Sequence, residues 1–209
     1  MFSIIQAAGW PIWPLLIASI IAVALIIERA IALRAPKVVP EGVLEKAVAA
    51  YRDRGVSADM LGSLAASSPL GRVLAAGLRN HAAPRPVMKE AIEEVGRSVT
   101  HDLERFLTTL GTIASISPLM GLFGTVIGMI EIFGSQAPSG GTNPQQLAHG
   151  ISIALYNTAF GLLIAIPAMI FFRYFRGKVE GFVVDMEQQA ARLVDILHGD
   201  RTESAGRGR

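Results

Sequence analysis

Cysteine is absent from this sequence of 209 residues, so the chain has no disulfide framework and no thiolate chemistry. The four histidines, at positions 81, 101, 149 and 198, show no metal-ligand spacing, and we expect neither a metal nor a cofactor. The net charge of +2 gives nucleic-acid binding little support. Metal, thiol and nucleic-acid functions are therefore set aside.

Basic residues are missing from two long parts of the chain, residues 1–28 and 106–172. All 19 lysines and arginines fall between Arg29 and Arg105 or between Arg173 and Arg209. The chain is 51% hydrophobic, with a mean hydropathy of +0.45, which is typical of a membrane protein. Because basic residues stay on the cytoplasmic side, we expect three membrane crossings, with the N-terminus outside and the C-terminus inside.

The apolar runs and their breaks divide the chain into four predicted segments. Residues 1–35 hold a first membrane helix over Pro11–Leu33, with two tryptophans near its outer end. Residues 36–86 form a cytoplasmic helical segment. Residues 87–198 form a helix hairpin, and the polar tail over 199–209 is predicted to be disordered.

Helix two of the hairpin is the longest predicted element, running without a break from about Met88 to Phe133 with a kink at Pro118. A polar outer loop follows over residues 134–149. Helix three then spans residues 150–172, and its apolar stripe continues to His198. The predicted fold is therefore all-α, with long cytoplasmic helical extensions.

Small and hydroxyl-bearing side chains form two stripes on the hairpin. Thr112, Ser115 and Thr125 lie near one face of helix two, whose second half also carries Gly121, Gly124 and Gly128. On helix three the stripe consists of Ala154, Thr158, Gly161, Ala165 and Ala168, and Asn157 lies beside Thr158. Two interpretations stay open: packing faces for close helix approach, or the wall of a polar pathway.

Residues 107–130 and 150–172 contain no Asp, Glu, Lys, Arg or His. Glu131, at the outer end of helix two, is the only acidic residue between positions 104 and 180. If protons cross the membrane here, a partner must supply the titrating group at mid-membrane.

The hairpin sequences GLFGTVIGMIEIF and GISIALYNTAFGLLIAIPAMI, the Glu28–Arg29 flank and the three-helix plan together resemble the ExbB/TolQ/MotA proton-channel family, closest to ExbB. Thr125 matches the threonine of the family's GTV motif, and Thr158 matches that of the ALxxTAxGL pattern. Many family members carry Glu in a GIxEAL segment, where this chain has Ile153.

The resemblance implies a homopentamer in the inner membrane, around single-span ExbD-like or TolR-like partners whose Asp carries protons. It implies that Thr125 and Thr158 line the pore and that a TonB-like or TolA-like protein receives the work. Two other functions remain: a TolQ-like role in envelope maintenance, and a structural membrane scaffold. An enzyme is not expected, because no nucleophile–base pair, metal cluster or phosphate loop occurs.

Overall fold

A computed structural model of the chain describes residues 9–134 and 144–199. Three segments lie outside this range: residues 1–8, 135–143 and 200–209. The disorder predicted for the tail falls on the last of them. The described residues form helices and contain no strand. The helices are α1 (Ile12–Ala32), α2 (Ala35–Val38), α3 (Val43–Arg54), α4 (Ala58–Ser67), α5 (Pro69–Arg79), α6 (Arg85–Glu104), α7 (Leu107–Gly134) and α8 (Pro144–Leu197).

The chain divides into two compact units, of which the first contains the described residues 9–29, 106–134 and 144–174. It therefore holds most of α1, all of α7 and the first part of α8. These three helices are long and apolar enough to cross a membrane. The all-helical class and the three candidate spans agree with the sequence prediction. Near the start of α1, the Trp10 ring meets the Phe123 ring of α7 edge to face, with centroids 6.1 Å apart.

The second unit contains residues 30–105 and the described residues from Phe175 onward. Its centre is α5, whose leucines at 70, 74 and 78 are fully buried. The α5 helix begins at a local capping signal: Ser68 accepts a hydrogen bond from the Gly71 amide at 3.0 Å, and Pro69 takes the first helical position. The helical segment predicted over residues 36–86 consists of several short helices.

Two ion pairs join separate helices of this second unit. Arg72 of α5 contacts Asp102 of α6 at 2.7 Å, and Arg85 of α6 contacts Asp195 of α8 at 2.7 Å. The two residues of each pair are far apart in sequence, so helix spacing rules do not predict these ion pairs.

The uninterrupted helix predicted from Met88 to Phe133 is wrong, because the structure breaks it at Arg105 and Phe106. Phe106 has φ +66°, a left-handed conformation that a bulky side chain rarely adopts. The helix instead continues through Pro118. Proline, the usual breaker, thus lies inside a helix, while the break falls at a phenylalanine.

The outer loop predicted over 134–149 is shorter than expected, because α8 begins at Pro144 rather than at Gly150. Proline fits the first helical turn, where its missing N–H has no helical acceptor to lose. The same helix runs without a break to Leu197, close to the predicted end at His198.

Candidate pore-lining surface

One face of α7 is buried within the first unit. Its buried residues recur at steps of three and four, the spacing of one helix face. They are Leu107, Leu110, Ala114, Ser117, Gly121, Gly124, Gly128 and Ile132. The second half of this face consists largely of glycine.

These glycines lie where α7 and α8 approach each other. A Cβ atom placed on Gly124 would overlap the Asn157 side chain, and one on Gly121 would lie 2.8 Å from the Asn157 carbonyl oxygen. From the other side, a Cβ on Gly161 would lie 2.6 Å from the Ser117 carbonyl oxygen. No larger residue fits at these positions without moving a backbone.

Three further predicted packing positions lie near this contact. A Cβ atom placed on Gly128 would be 3.3 Å from the Cβ of Ala154, and Ala165 is buried on the same side of α8. The packing set of glycines and alanines is thus brought together by the antiparallel pairing of α7 with α8.

Three hydroxyl-bearing residues of α7 lie outside this buried set. Thr112 and Ser115 are exposed, and Thr125 is half-buried. Each hydroxyl donates to a carbonyl of its own helix: Thr112 to Thr108 at 2.9 Å, Ser115 to Gly111 at 3.0 Å, and Thr125 to Leu122 at 2.6 Å. A hydroxyl that donates once keeps lone pairs that accept hydrogen bonds. We call Thr112, Ser115 and Thr125 the hydroxyl face.

Asn157 and Thr158 lie in the α7–α8 contact. Asn157 is fully buried, and its Nδ2 donates to the Ile153 carbonyl at 2.8 Å. The Thr158 hydroxyl donates toward the Gly121 carbonyl over 3.5 Å, a long hydrogen bond. The structure thus brings these two candidate residues together with the glycines, while Thr112 and Ser115 face away from the helix contact.

Ile153, which replaces the family glutamate, is 2% exposed. Glu131, near the C-terminal end of α7, is exposed. Among residues 9–134 and 144–199, no group of three His, Asp or Glu side chains is arranged to hold a metal ion. Hydroxyl side chains accept and relay hydrogen bonds but do not hold an extra proton, so the hydroxyl face can pass a proton on but cannot store one.

A buried cation near the C-terminal end of α1 was not among the site residues predicted from the sequence. Arg29 is only 6% exposed, and its guanidinium lies over the Phe106 ring, 5.4 Å from the ring centroid. Glu28 forms an ion pair with Arg29. The sequence signal for Arg29 was a charged residue at the end of an apolar run. Its contact with Phe106 could not be predicted, because the two residues are 77 positions apart in the sequence.

These features define an all-helical protein with three candidate membrane-spanning helices, two of them tightly paired through glycine. Residues 65–188 match the sequence pattern of the MotA/TolQ/ExbB proton channel family, and the chain belongs to this family. It is a family of transport subunits rather than of enzymes.

Several relatives carry names from both branches of the family. A Vibrio cholerae protein named biopolymer transport protein exbB1 is 35% identical over 168 residues, 78% of this chain and 74% of that protein. A Synechocystis protein named ExbB-like 3 is 33% identical over 173 residues, 82% of each chain. The Haemophilus influenzae Tol-Pal system protein TolQ is 31% identical over 122 residues, 57% of this chain and 54% of that protein.

Proposed function

We propose that this chain is an ExbB-like subunit of an inner-membrane motor that uses the proton-motive force to do work on a periplasmic or outer-membrane partner. Support comes from the family match over residues 65–188 and from the ExbB-named relatives that align over about four fifths of the chain. Five copies surround single-span ExbD-like partners, and a TonB-like protein receives the work.

The observation that carries the proposal is the separation of two faces on α7. The glycine face is occupied by α8, whereas on the hydroxyl face Thr112 and Ser115 are exposed and Thr125 is half-buried. The helix carries no charge from Leu107 to Ile130. Hydroxyls that face lipid find no hydrogen-bond partners there. If several copies of the chain form a ring, the hydroxyls are better located facing the axis that the copies share.

Proton transfer in this scheme depends on a partner carboxylate. Moving one charge through 100 mV releases about 2.3 kcal/mol, and converting it to motion requires an acid that is charged in one position and neutral in another. Residues 107–130 and 150–172 contain no such acid, and Ile153 is buried and apolar. Thr125 and Thr158 therefore serve as hydrogen-bonding neighbours of the partner's Asp.

The test replaces Thr125 with valine, which keeps the shape of the side chain and removes its hydroxyl. We expect proton-driven function to fall at least about tenfold, equivalent to about 1.4 kcal/mol, while the oligomer and its partner still co-purify. Ser117→Ala is the matched control, because Ser117 is buried on the other face of α7 and bonds only to its own helix, at 2.7 Å. Wild-type coupling in Thr125→Val would contradict the pore assignment.

A TolQ-like role in envelope maintenance is the second candidate, favoured by the 31% identity to the Haemophilus TolQ. Co-purification from the native host separates the two, because a TolR-like and TolA-like pair would replace the ExbD-like and TonB-like pair. A structural scaffold is the remaining reading. It predicts full function in Thr125→Val, together with an intact assembly.

A further inference from the structure

The break between α6 and α7 is unusual because the local sequence favours a continuous helix. No glycine or proline occurs between Arg97 and Leu110. The buried residues keep helical spacing on both sides of the break, with Val99 and Leu103 before it and Leu107 and Leu110 after it. Local preference and observed backbone therefore disagree at one point, and such disagreements mark functional or strained sites.

Phe106 holds the strained position itself. Its φ of +66° is unfavourable for any residue with a Cβ, and its carbonyl accepts the first hydrogen bond of α7, from the Leu110 amide at 3.0 Å. Phe106 is thus the N-cap of α7, a position where Ser, Thr, Asp and Asn are preferred because their side chains accept backbone hydrogen bonds. A phenyl ring cannot do this, so something else must favour the break.

The candidate is Arg29 of α1, whose nearly buried guanidinium lies over the Phe106 ring. In a continuous helix the spacing would place Phe106 on the stripe of Val99, Leu103 and Leu110, whereas in the structure Phe106 is 37% exposed. Glu28 pairs with Arg29 and offsets the cost of burying a cation at the end of an apolar run. A cation over an aromatic face gains free energy when it is desolvated.

We propose that Arg29 is a positioning residue that holds Phe106 in its left-handed conformation and so fixes where α7 begins. The hydroxyl face starts directly above this point, because the Thr112 hydroxyl bonds to the carbonyl of Thr108 in the first turn of α7. Through Phe106, Arg29 sets the rotation of the inner half of α7, where Thr112 and Ser115 lie. The inference rests on the proposed channel function only in this last step.

The test uses hydrogen exchange of the intact complex, read in peptides that cover residues 103–110. In the broken helix the first-turn amides of Leu107, Thr108 and Thr109 have no helical acceptor, and they exchange quickly. If Arg29→Gln releases Phe106, these amides gain acceptors in a continuous helix, and their exchange slows by roughly tenfold or more. A merely destabilising loss of packing would change the rate in the opposite direction.

Rescue gives the second arm of the test. Asn tolerates positive φ and caps helices, so Phe106→Asn keeps the break without any help from Arg29. The double variant Arg29→Gln/Phe106→Asn should therefore exchange as fast as the wild type. Arg34→Gln, which removes an exposed arginine nearby, is the matched control and should change nothing.

Unchanged or faster exchange in Arg29→Gln would overturn the proposal, and so would a failure of Phe106→Asn to restore fast exchange. If Arg29→Gln does not assemble, Phe106→Leu provides the same comparison, because it removes the ring and leaves Arg29 in place. Proton-driven function is measured on the same samples. Slowed exchange with normal function would support the helix break and contradict the channel role of the hydroxyl face.

Discussion

Asp102 lies near the end of α6 and accepts a hydrogen bond from Arg72 of α5 at 2.7 Å. This hydrogen bond lowers the pKa of the Asp102 carboxyl, and it outweighs the opposing effect of burial. A carboxyl whose pKa is lower in the folded chain stabilises the fold at pH values above its ordinary value of about 4. That contribution is lost as the pH falls through the lowered pKa.

Asp102→Asn should therefore lower the melting temperature slightly at pH 7, and the difference should close as the pH falls below about 4. Both side chains are largely exposed, so the expected loss is small, about 0.5 kcal/mol or about 1–2 °C. Asp53→Asn is the control, since Asp53 and its neighbour Arg54 are both highly exposed. A stability difference that grows at low pH would refute this account of Asp102.

Single residues were also where sequence reasoning reached its limit. The hydroxyls and glycines of α7 were visible in the sequence, but steps of three and four describe any helix face. Only the position of α8 distinguishes Gly124, which a Cβ would push into Asn157, from Thr125, which is half-buried beside it. The predicted packing and pore roles of these residues stay predictions that the variants above test.

At the scale of elements, the α7–α8 pair depends on close backbone approach. Gly121, Gly124 and Gly161 leave no space for a methyl group without a shift of the opposite helix. Interfaces of this kind are common between membrane helices. Lipid is as apolar as the helix surfaces, so the helices associate through close packing rather than through the hydrophobic effect. The pairing therefore rests on a few positions of α7 and α8.

Gly124→Ala should destabilise the purified protein by about 1–3 kcal/mol, because the added methyl group overlaps the Asn157 side chain. Gly177→Ala on α8 is the matched control: no atom lies within 4 Å of the added Cβ, and alanine favours a helix interior by about 1 kcal/mol. Thermal unfolding in detergent, followed by tryptophan fluorescence, measures both. Equal melting temperatures for the two variants would show that the contact is loose.

Helix ends show why the elements were only partly predictable. The first helix was predicted as Pro11–Leu33 and observed as Ile12–Ala32. The two agree because a charge-free run that ends at Glu28 and Arg29 is a strong sequence signal. The start of α8 at Pro144 was missed, although proline at the first helical position is a known local rule. The break at Phe106 carries no local signal, because its cause lies on α1.

At the scale of the whole molecule, the distribution of Lys and Arg remains the basis for the proposed orientation. The chain has no cysteine, so single cysteines can report which side of the membrane they occupy. Ser57 is a poor site, because it caps α4 by accepting a hydrogen bond from the Met60 amide at 3.2 Å. Ser98 is better, since it is exposed on α6.

Ser98→Cys should resist an impermeant thiol reagent in cells with an intact inner membrane and react once that membrane is opened. Ser139→Cys, in the loop outside the described residues, should react in both conditions because the proposed topology places it on the outer side. The two variants serve as controls for each other. Labelling of Ser98→Cys in intact cells would reverse the proposed topology.

The contact between Trp10 and Phe123 also bears on how the chain fits the thickness of a bilayer. The 21 residues of α1 span about 31 Å, close to a typical hydrocarbon thickness, whereas the 28 residues of α7 span about 42 Å. Since the start of α1 meets Phe123, the remaining eleven residues of α7, about 16 Å, extend past α1. The lipid beside α1 and the lipid beside the hairpin thus meet apolar surfaces of unequal height, and the bilayer must thicken or the hairpin must tilt to match both.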